Sequence, residues 1–168
     1  MGEFIMNVVF VGMPGAGKST IGPLLAVKTG MEYIDTDNII KEKTGKELRD
    51  IVIDNGFEEF LKIQENTILS MNPENMVIAT GGSVVCSGPA MMYLKKNGYV
   101  VFLKLEFTEI ENRLSPERRL ARSSGKSLYD LFCERMPLYE EYSDLTIDCN
   151  GRSVDEIIDI ILKNQPMV

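Results

Sequence analysis

Apolar positions fall into two kinds of run along the chain. Short unbroken runs recur at Asn7-Val8-Val9-Phe10-Val11, Met76-Val77-Ile78-Ala79-Thr80 and Tyr99 through Leu105. Shorter ones stand at Glu32-Tyr33-Ile34-Asp35 and Leu145-Thr146-Ile147-Asp148. Between them lie longer stretches whose apolar residues recur at helical spacing: about 18–29, several pieces over 37–70, 89–96, 107–114, 127–142 and 153–162. Gly30, Gly45, Gly56 and Gly98 punctuate them, as glycine does at helix ends. The first reading is therefore strand–helix alternation, with βαβ units and a mostly parallel sheet. Strands that are apolar throughout, rather than alternating, belong in a sheet covered on both faces. In such folds ligands bind beyond the carboxyl ends of the strands. The loops after Val11, Ile34, Thr80 and Leu105 should therefore share one functional edge.

Length and composition narrow the chemistry. The 168 residues suit one domain, with no repeat, low-complexity tract or linker to divide it. Met1-Gly2-Glu3-Phe4-Ile5 has neither the basic region nor the apolar core of a signal peptide, and reads as an added extension before a natural start at Met6. Residues 6–168 are taken as the domain. There is no histidine, which excludes a Ser-His-Asp triad, a Cys-His dyad and His-ligated zinc. A general base must come from Asp, Glu, Lys, Tyr or Cys. The net charge of −7 argues against general nucleic-acid affinity. Cys86, Cys133 and Cys149, widely spaced, fit reduced thiols in a cytoplasmic protein better than disulfides or zinc. No apolar run reaches the roughly 18 residues of a membrane span. A monomer is expected, with a weak dimer left open.

Gly12-Met13-Pro14-Gly15-Ala16-Gly17-Lys18-Ser19 matches G-x-x-x-x-G-K-[ST] and sits between a strand and a helix. Glycines let the backbone wrap an anion and turn N–H groups toward it. The helix start adds partial positive charge. Lys18 would reach the β- and γ-phosphates of ATP, and the Ser19 hydroxyl would ligate Mg²⁺. No Asn-Lys-x-Asp guanine reader follows a later strand, so a small-molecule kinase fits this size better than a switch GTPase.

Asp35-Thr36-Asp37 closes the second strand. A P-loop kinase needs one carboxylate near Mg²⁺ and one to orient or deprotonate the acceptor hydroxyl. Asp35 is assigned to the metal and Asp37 to the acceptor. Asp37 also stands where a helix starting at Asn38 would take its N-cap.

Gly12 through Thr20, Asp35-Thr36-Asp37, Gly81-Gly82 and Glu134-Arg135-Met136-Pro137-Leu138-Tyr139 follow one another in an order that resembles the shikimate kinase family, over residues 6–163. The resemblance implies an α/β, three-layer P-loop kinase fold, with a five-stranded parallel sheet of order 2-3-1-4-5 and a mobile lid over about 115–126. It implies ATP, Mg²⁺ and phosphorylation of the 3-hydroxyl of shikimate, a step of aromatic amino-acid biosynthesis. By the same likeness Gly12, Gly15, Ala16, Gly17, Lys18, Ser19, Thr20 and Arg113 belong to the nucleotide. Asp37, Gly81, Gly82, Ser83, Arg135 and the position of Leu61 belong to the acceptor, with Arg135 gripping its carboxylate. In the lid, Arg118-Arg119-Leu120-Ala121-Arg122, Arg119 is assigned to the transferring phosphoryl charge; the residues alone leave Arg118 and Arg122 open.

The departures from the family pattern lie on the acceptor side. The helix motif F-R-x-x-E reads Phe60-Leu61-Lys62-Ile63-Gln64, and the third glycine of G-G-G is Ser83. Leu61 and Gln64, three apart, share a helix face, so loss of both charges is coherent. Lys62 is turned away by about 100°. Leu61 is expected to offer the acceptor an apolar wall. The acceptor is then shikimate held with fewer cations, or another hydroxylated acid such as homoserine or gluconate. An ATP-binding regulatory module without turnover is the reading from a different class; the full set Lys18, Ser19, Asp35 and Asp37 weighs against it.

Overall fold

The computed structural model describes residues 6–116 and 125–166. β1 (Asn7–Val11) is buried along its whole length because it runs between two neighbours. It pairs parallel with β3 (Met76–Ala79), Val9 beside Ile78, and with β4 (Gly98–Lys104), Val9 beside Val100. β2 (Glu32–Asp35) adds outside β3, and β5 (Leu145–Asp148) outside β4, both parallel. The order is β2-β3-β1-β4-β5, as the resemblance implied. The unbroken apolar runs are the strands covered on both faces, as hydrophobic burial demands. Asn7 ties the amino edge together: its amide donates to the carbonyls of Pro73 and Asn97 and its Oδ1 accepts from the N–H of Met76.

The connecting helices are α1 (Lys18–Thr29), α2 (Thr36–Thr44), α3 (Leu48–Asn55), α4 (Phe57–Leu69), α5 (Gly88–Asn97), α6 (Phe107–Arg113), α7 (Leu128–Tyr142) and α8 (Val154–Lys163). α7 and α8 open on capping boxes, Ser127 with Asp130 and Ser153 with Glu156, which satisfy the first amide groups of each helix. Among the described residues no helix is long and apolar enough to cross a membrane.

Two apolar clusters hold these elements. The larger joins the sheet to α1, α5, α7 and α8. A smaller one, Ile40, Ile51 and Phe60 with Leu48, Val52, Phe57, Leu61 and Ile63 packed around them, knits α2, α3 and α4 into a lobe of their own. Between that lobe and the carboxyl ends of β1, β2 and β3 opens a cavity of about 820 Å³.

Candidate active site

The strand-to-helix loop after β1 forms one end of this cavity. Gly15 and Gly17 take φ of 82° and 104°, left-handed backbone that L side chains rarely adopt. Gly17 starts α1 without any side-chain cap, so the first amides of the helix stay available to an anion. Lys18 is only 7% exposed. Its ammonium folds over the loop and donates to the carbonyls of Gly12 and Met13, at 2.6 and 2.8 Å. Gly15, Gly17, Lys18, Ser19 and Thr20 face the cavity, and Gly12 and Ala16 are not part of its wall. Arg113, at the end of α6, reaches the same end: it donates to the Gly15 carbonyl at 3.3 Å and pairs with Glu109 at 3.1 Å.

β2 delivers the acidic pair. α2 begins at Thr36, two residues earlier than expected, so its N-cap is Asp35 rather than Asp37. Asp35 Oδ1 accepts from the N–H of Asp37 at 2.9 Å, and Oδ2 accepts from the Ser19 hydroxyl at 3.1 Å. One carboxylate thus caps α2 and meets the phosphate loop. Asp37, inside the first turn of α2, lines the cavity. Tyr33, on the same strand, packs its ring against α1 where a Cβ on Gly22 would lie 2.5 Å away. Burial, and then the charge of Asp35, push the Tyr33 phenol up from its ordinary pKa, so it stays protonated beside Ser19 and Asp35.

β3 runs on through Thr80, whose hydroxyl and N–H both donate to the Phe10 carbonyl, and ends in Gly81-Gly82. A Cβ on Gly81 would stand 2.6 Å from Asp37 Oδ1 and 2.7 Å from Gln64 Nε2; one on Gly82 would stand 2.6 Å from Pro14. The turn is glycine because three elements converge on it. From behind, Tyr139 of α7, stacked on Phe102, donates its hydroxyl to the Gly82 carbonyl. One helical turn earlier on α7, Arg135 enters the cavity wall at only 3% exposure. Glu134 pairs with Lys126 instead, at 2.7 Å. The Arg135 Nε has no hydrogen-bond partner among the described residues. A buried cation without an acid beside it is costly to the fold and available to an anionic ligand.

The comparisons agree with this geometry. A sequence model of shikimate kinase matches residues 14–165. A shikimate kinase of Thermodesulfovibrio yellowstonii is 35% identical over 162 residues, covering 94% of this chain and 93% of that protein. The chain belongs to the shikimate kinase family. The structure of a shikimate kinase from Acinetobacter baumannii in complex with shikimate superposes with a TM-score of 0.88 at 31% identity, covering 96% of this chain and 93% of that one. Threonine synthase-like 1 of Macaca fascicularis is 34% identical over 165 residues, which are 93% of this chain and 22% of that protein. Family membership makes the activity an ATP-dependent phosphoryl transfer to an alcohol group.

The departures from the shikimate kinase pattern take physical form in α4. Leu61, expected in the acceptor wall, is not among the lining residues; it packs into the smaller apolar cluster with Ile40, Ile51 and Phe60. Leu61 and Gln64 therefore do not work as a pair. Gln64 pairs with the other departure: its Oε1 accepts from the Ser83 hydroxyl at 3.0 Å, both residues buried. Gln64 Nε2 has no hydrogen-bond partner among the described residues. Lys62 points outward to Glu59 at 3.6 Å, as its turn around the helix predicts. Arg118, Arg119 and Arg122 lie outside the described residues, as do residues 1–5 and most of the 115–126 segment.

Sequence reasoning passed over Tyr33, Arg49 and the Gln64–Ser83 bond. Arg49, on α3, lines the cavity. No motif marks it: it lies two residues from Ile51, about 200° around the helix, so only the seating of Ile51 in the small cluster turns it toward the cavity. The Ser83–Gln64 bond joins residues 19 apart in sequence and follows no spacing rule.

Proposed function

We propose that this chain transfers the γ-phosphoryl group of ATP to a hydroxyl of shikimate. The acceptor oxygen attacks the γ-phosphorus, the bond from that phosphorus to the departing ADP oxygen breaks, and the hydroxyl proton passes to Asp37. The loop amides and Lys18 hold the phosphates and oppose charge that builds on them. Ser19 and Asp35, two oxygen donors 3.1 Å apart, suit a hard cation such as Mg²⁺. Among the described residues no group of three or more Cys, Asp or Glu side chains offers a complete metal cage, so the ion would also need phosphate oxygens and water. When bound, Mg²⁺ would neutralise phosphate charge. Asp37 orients the acceptor hydroxyl and takes its proton, the task that a chain without histidine leaves to a carboxylate.

The observation that carries the acceptor assignment is Arg135. It is buried in the same cavity as Asp37 and has no acid partner among the described residues, which fits a small acid bearing a hydroxyl. The relative from Acinetobacter baumannii, whose structure holds shikimate, supports the choice. A second reading, another hydroxylated acid such as homoserine or gluconate, is favoured by the neutral side chains at Leu61 and Gln64. ATP consumption measured with shikimate, homoserine, gluconate and a nucleoside monophosphate separates them. Turnover with shikimate well above the rest is expected. Turnover with homoserine or gluconate but not shikimate would establish the second reading.

A further inference from the structure

Five cationic residues line the cavity among those described: Lys18, Lys41, Arg49, Arg113 and Arg135. Three are engaged. Lys18 holds the loop carbonyls, Lys41 pairs with Glu47 at 2.9 Å, and Arg113 pairs with Glu109 at 3.1 Å. Arg49 and Arg135 have no carboxylate partner among the described residues. Both stand in the wall that also holds Asp37 and the glycine turn, where the acceptor must lie if Asp37 is to reach its hydroxyl.

The local fold explains how Arg49 comes to be there. Ile51 is buried against Ile40 and Phe60, which fixes the rotation of α3. That rotation leaves Leu48, Arg49 and Val52 facing the cavity. The wall beside them carries the apolar Phe57 and Phe60, and its nearby acid, Glu47, is taken by Lys41. A guanidinium recognises a carboxylate through its planar fork of N–H donors, and gains most where no protein acid already occupies it. Two such groups above an apolar wall fit a carboxylate carried on a hydrocarbon skeleton.

We propose that Arg49 is a second carboxylate-binding residue for the acceptor, supplied from α3 where α4 carries Leu61. The assignment rests on the proposed carboxylate-bearing acceptor and deepens it: the anion is clamped between a buried arginine of the main core and an exposed arginine of the small α2–α4 lobe.

Steady-state kinetics of Arg49→Ala and Arg49→Lys, with shikimate and with its methyl ester as acceptors, test this. Arg49→Ala should raise the KM for shikimate about tenfold or more, the effect of losing one charged hydrogen-bonded contact. It should leave kcat and the KM for ATP within about twofold and leave the ester unaffected, since the ester lacks the charge the arginine reads. Arg49→Lys should fall between, keeping charge without the fork. An unchanged KM for shikimate, or an equal rise for acid and ester, would overturn the assignment. If the wild-type chain leaves shikimate untouched, the proposed acceptor fails instead. The same variants are then measured with the carboxylic acceptor that is turned over, and an unchanged KM there overturns the role of Arg49.

Discussion

At the phosphate end of the cavity, the side chains of Lys18, Ser19, Asp35 and Arg113 are already tied into the fold, and the amides at the start of α1 are left for an anion. Lys18 is held by two loop carbonyls, Ser19 by Asp35, Asp35 by the start of α2, and Arg113 by Glu109 and the Gly15 carbonyl. At the acceptor end, Arg49 and Arg135 have no acid partner, and Gln64 Nε2 and Arg135 Nε have no hydrogen-bond partner, among the described residues. The first end is built from backbone: a loop whose φ values demand glycine, one strand end and one helix start. The second is built from side chains that α3, α4 and α7 bring together. Backbone geometry dictates residue type tightly, whereas at the acceptor end the charged positions of the family motif become Leu61 and Gln64, with Gln64 bonded to Ser83, under the same strand order. A kinase can thus keep its nucleotide chemistry while its acceptor preference is reset.

The contrast can be broken at either end. Lys18→Ala should have the largest effect, lowering kcat by about 10³-fold, the scale of losing one preorganised charge contact in a phosphoryl or acyl transfer site. Near-normal turnover would remove the phosphate-loop assignment altogether. Asp37→Asn should follow, with kcat reduced about 10²- to 10⁴-fold and ATP affinity retained, because the amide cannot take the proton. Equal losses of ATP affinity and turnover would place Asp37 at the phosphate end instead. Ser83→Ala should act on stability more than on ATP. It strips the Gln64 carbonyl oxygen of its buried donor and should lower the unfolding free energy by about 1–3 kcal/mol in a denaturant titration, with the KM for ATP unchanged. No loss of stability would mean that the Gln64–Ser83 bond contributes nothing net.

How much was legible in the sequence follows the same division. The strands and the phosphate loop were readable because apolar runs and the glycine–lysine–serine spacing are local patterns; the strand order came from the family resemblance, and the observed sheet has that order. Asp35 and Asp37 stand at the expected strand end, but the helix cap falls on Asp35, since α2 starts two residues earlier than the pattern suggests. Leu61 was misjudged because helix spacing says which residues share a face and not what the face meets; here it meets the small apolar cluster. The Gln64–Ser83 bond and the approach of Gly82 to Pro14 are long-range and leave no periodic trace. Arg49 was hidden by its ordinariness, an exposed cation on a short helix that only the rotation set by Ile51 turns inward.

The account turns on Arg135 being kept for the acceptor rather than for the fold. Arg135→Met replaces a buried cation, without an acid partner among the described residues, by an apolar side chain of similar length. The chain without ligands should then be as stable as the wild type or more so, because a desolvated charge has been removed. The kcat/KM for the carboxylic acceptor should fall by about 10²-fold or more, with the KM for ATP unchanged. Thermal unfolding and steady-state kinetics on this one variant measure both. A clear loss of stability with kcat/KM for the acceptor intact would contradict the account, making Arg135 a structural residue and leaving the acceptor end without its anchor.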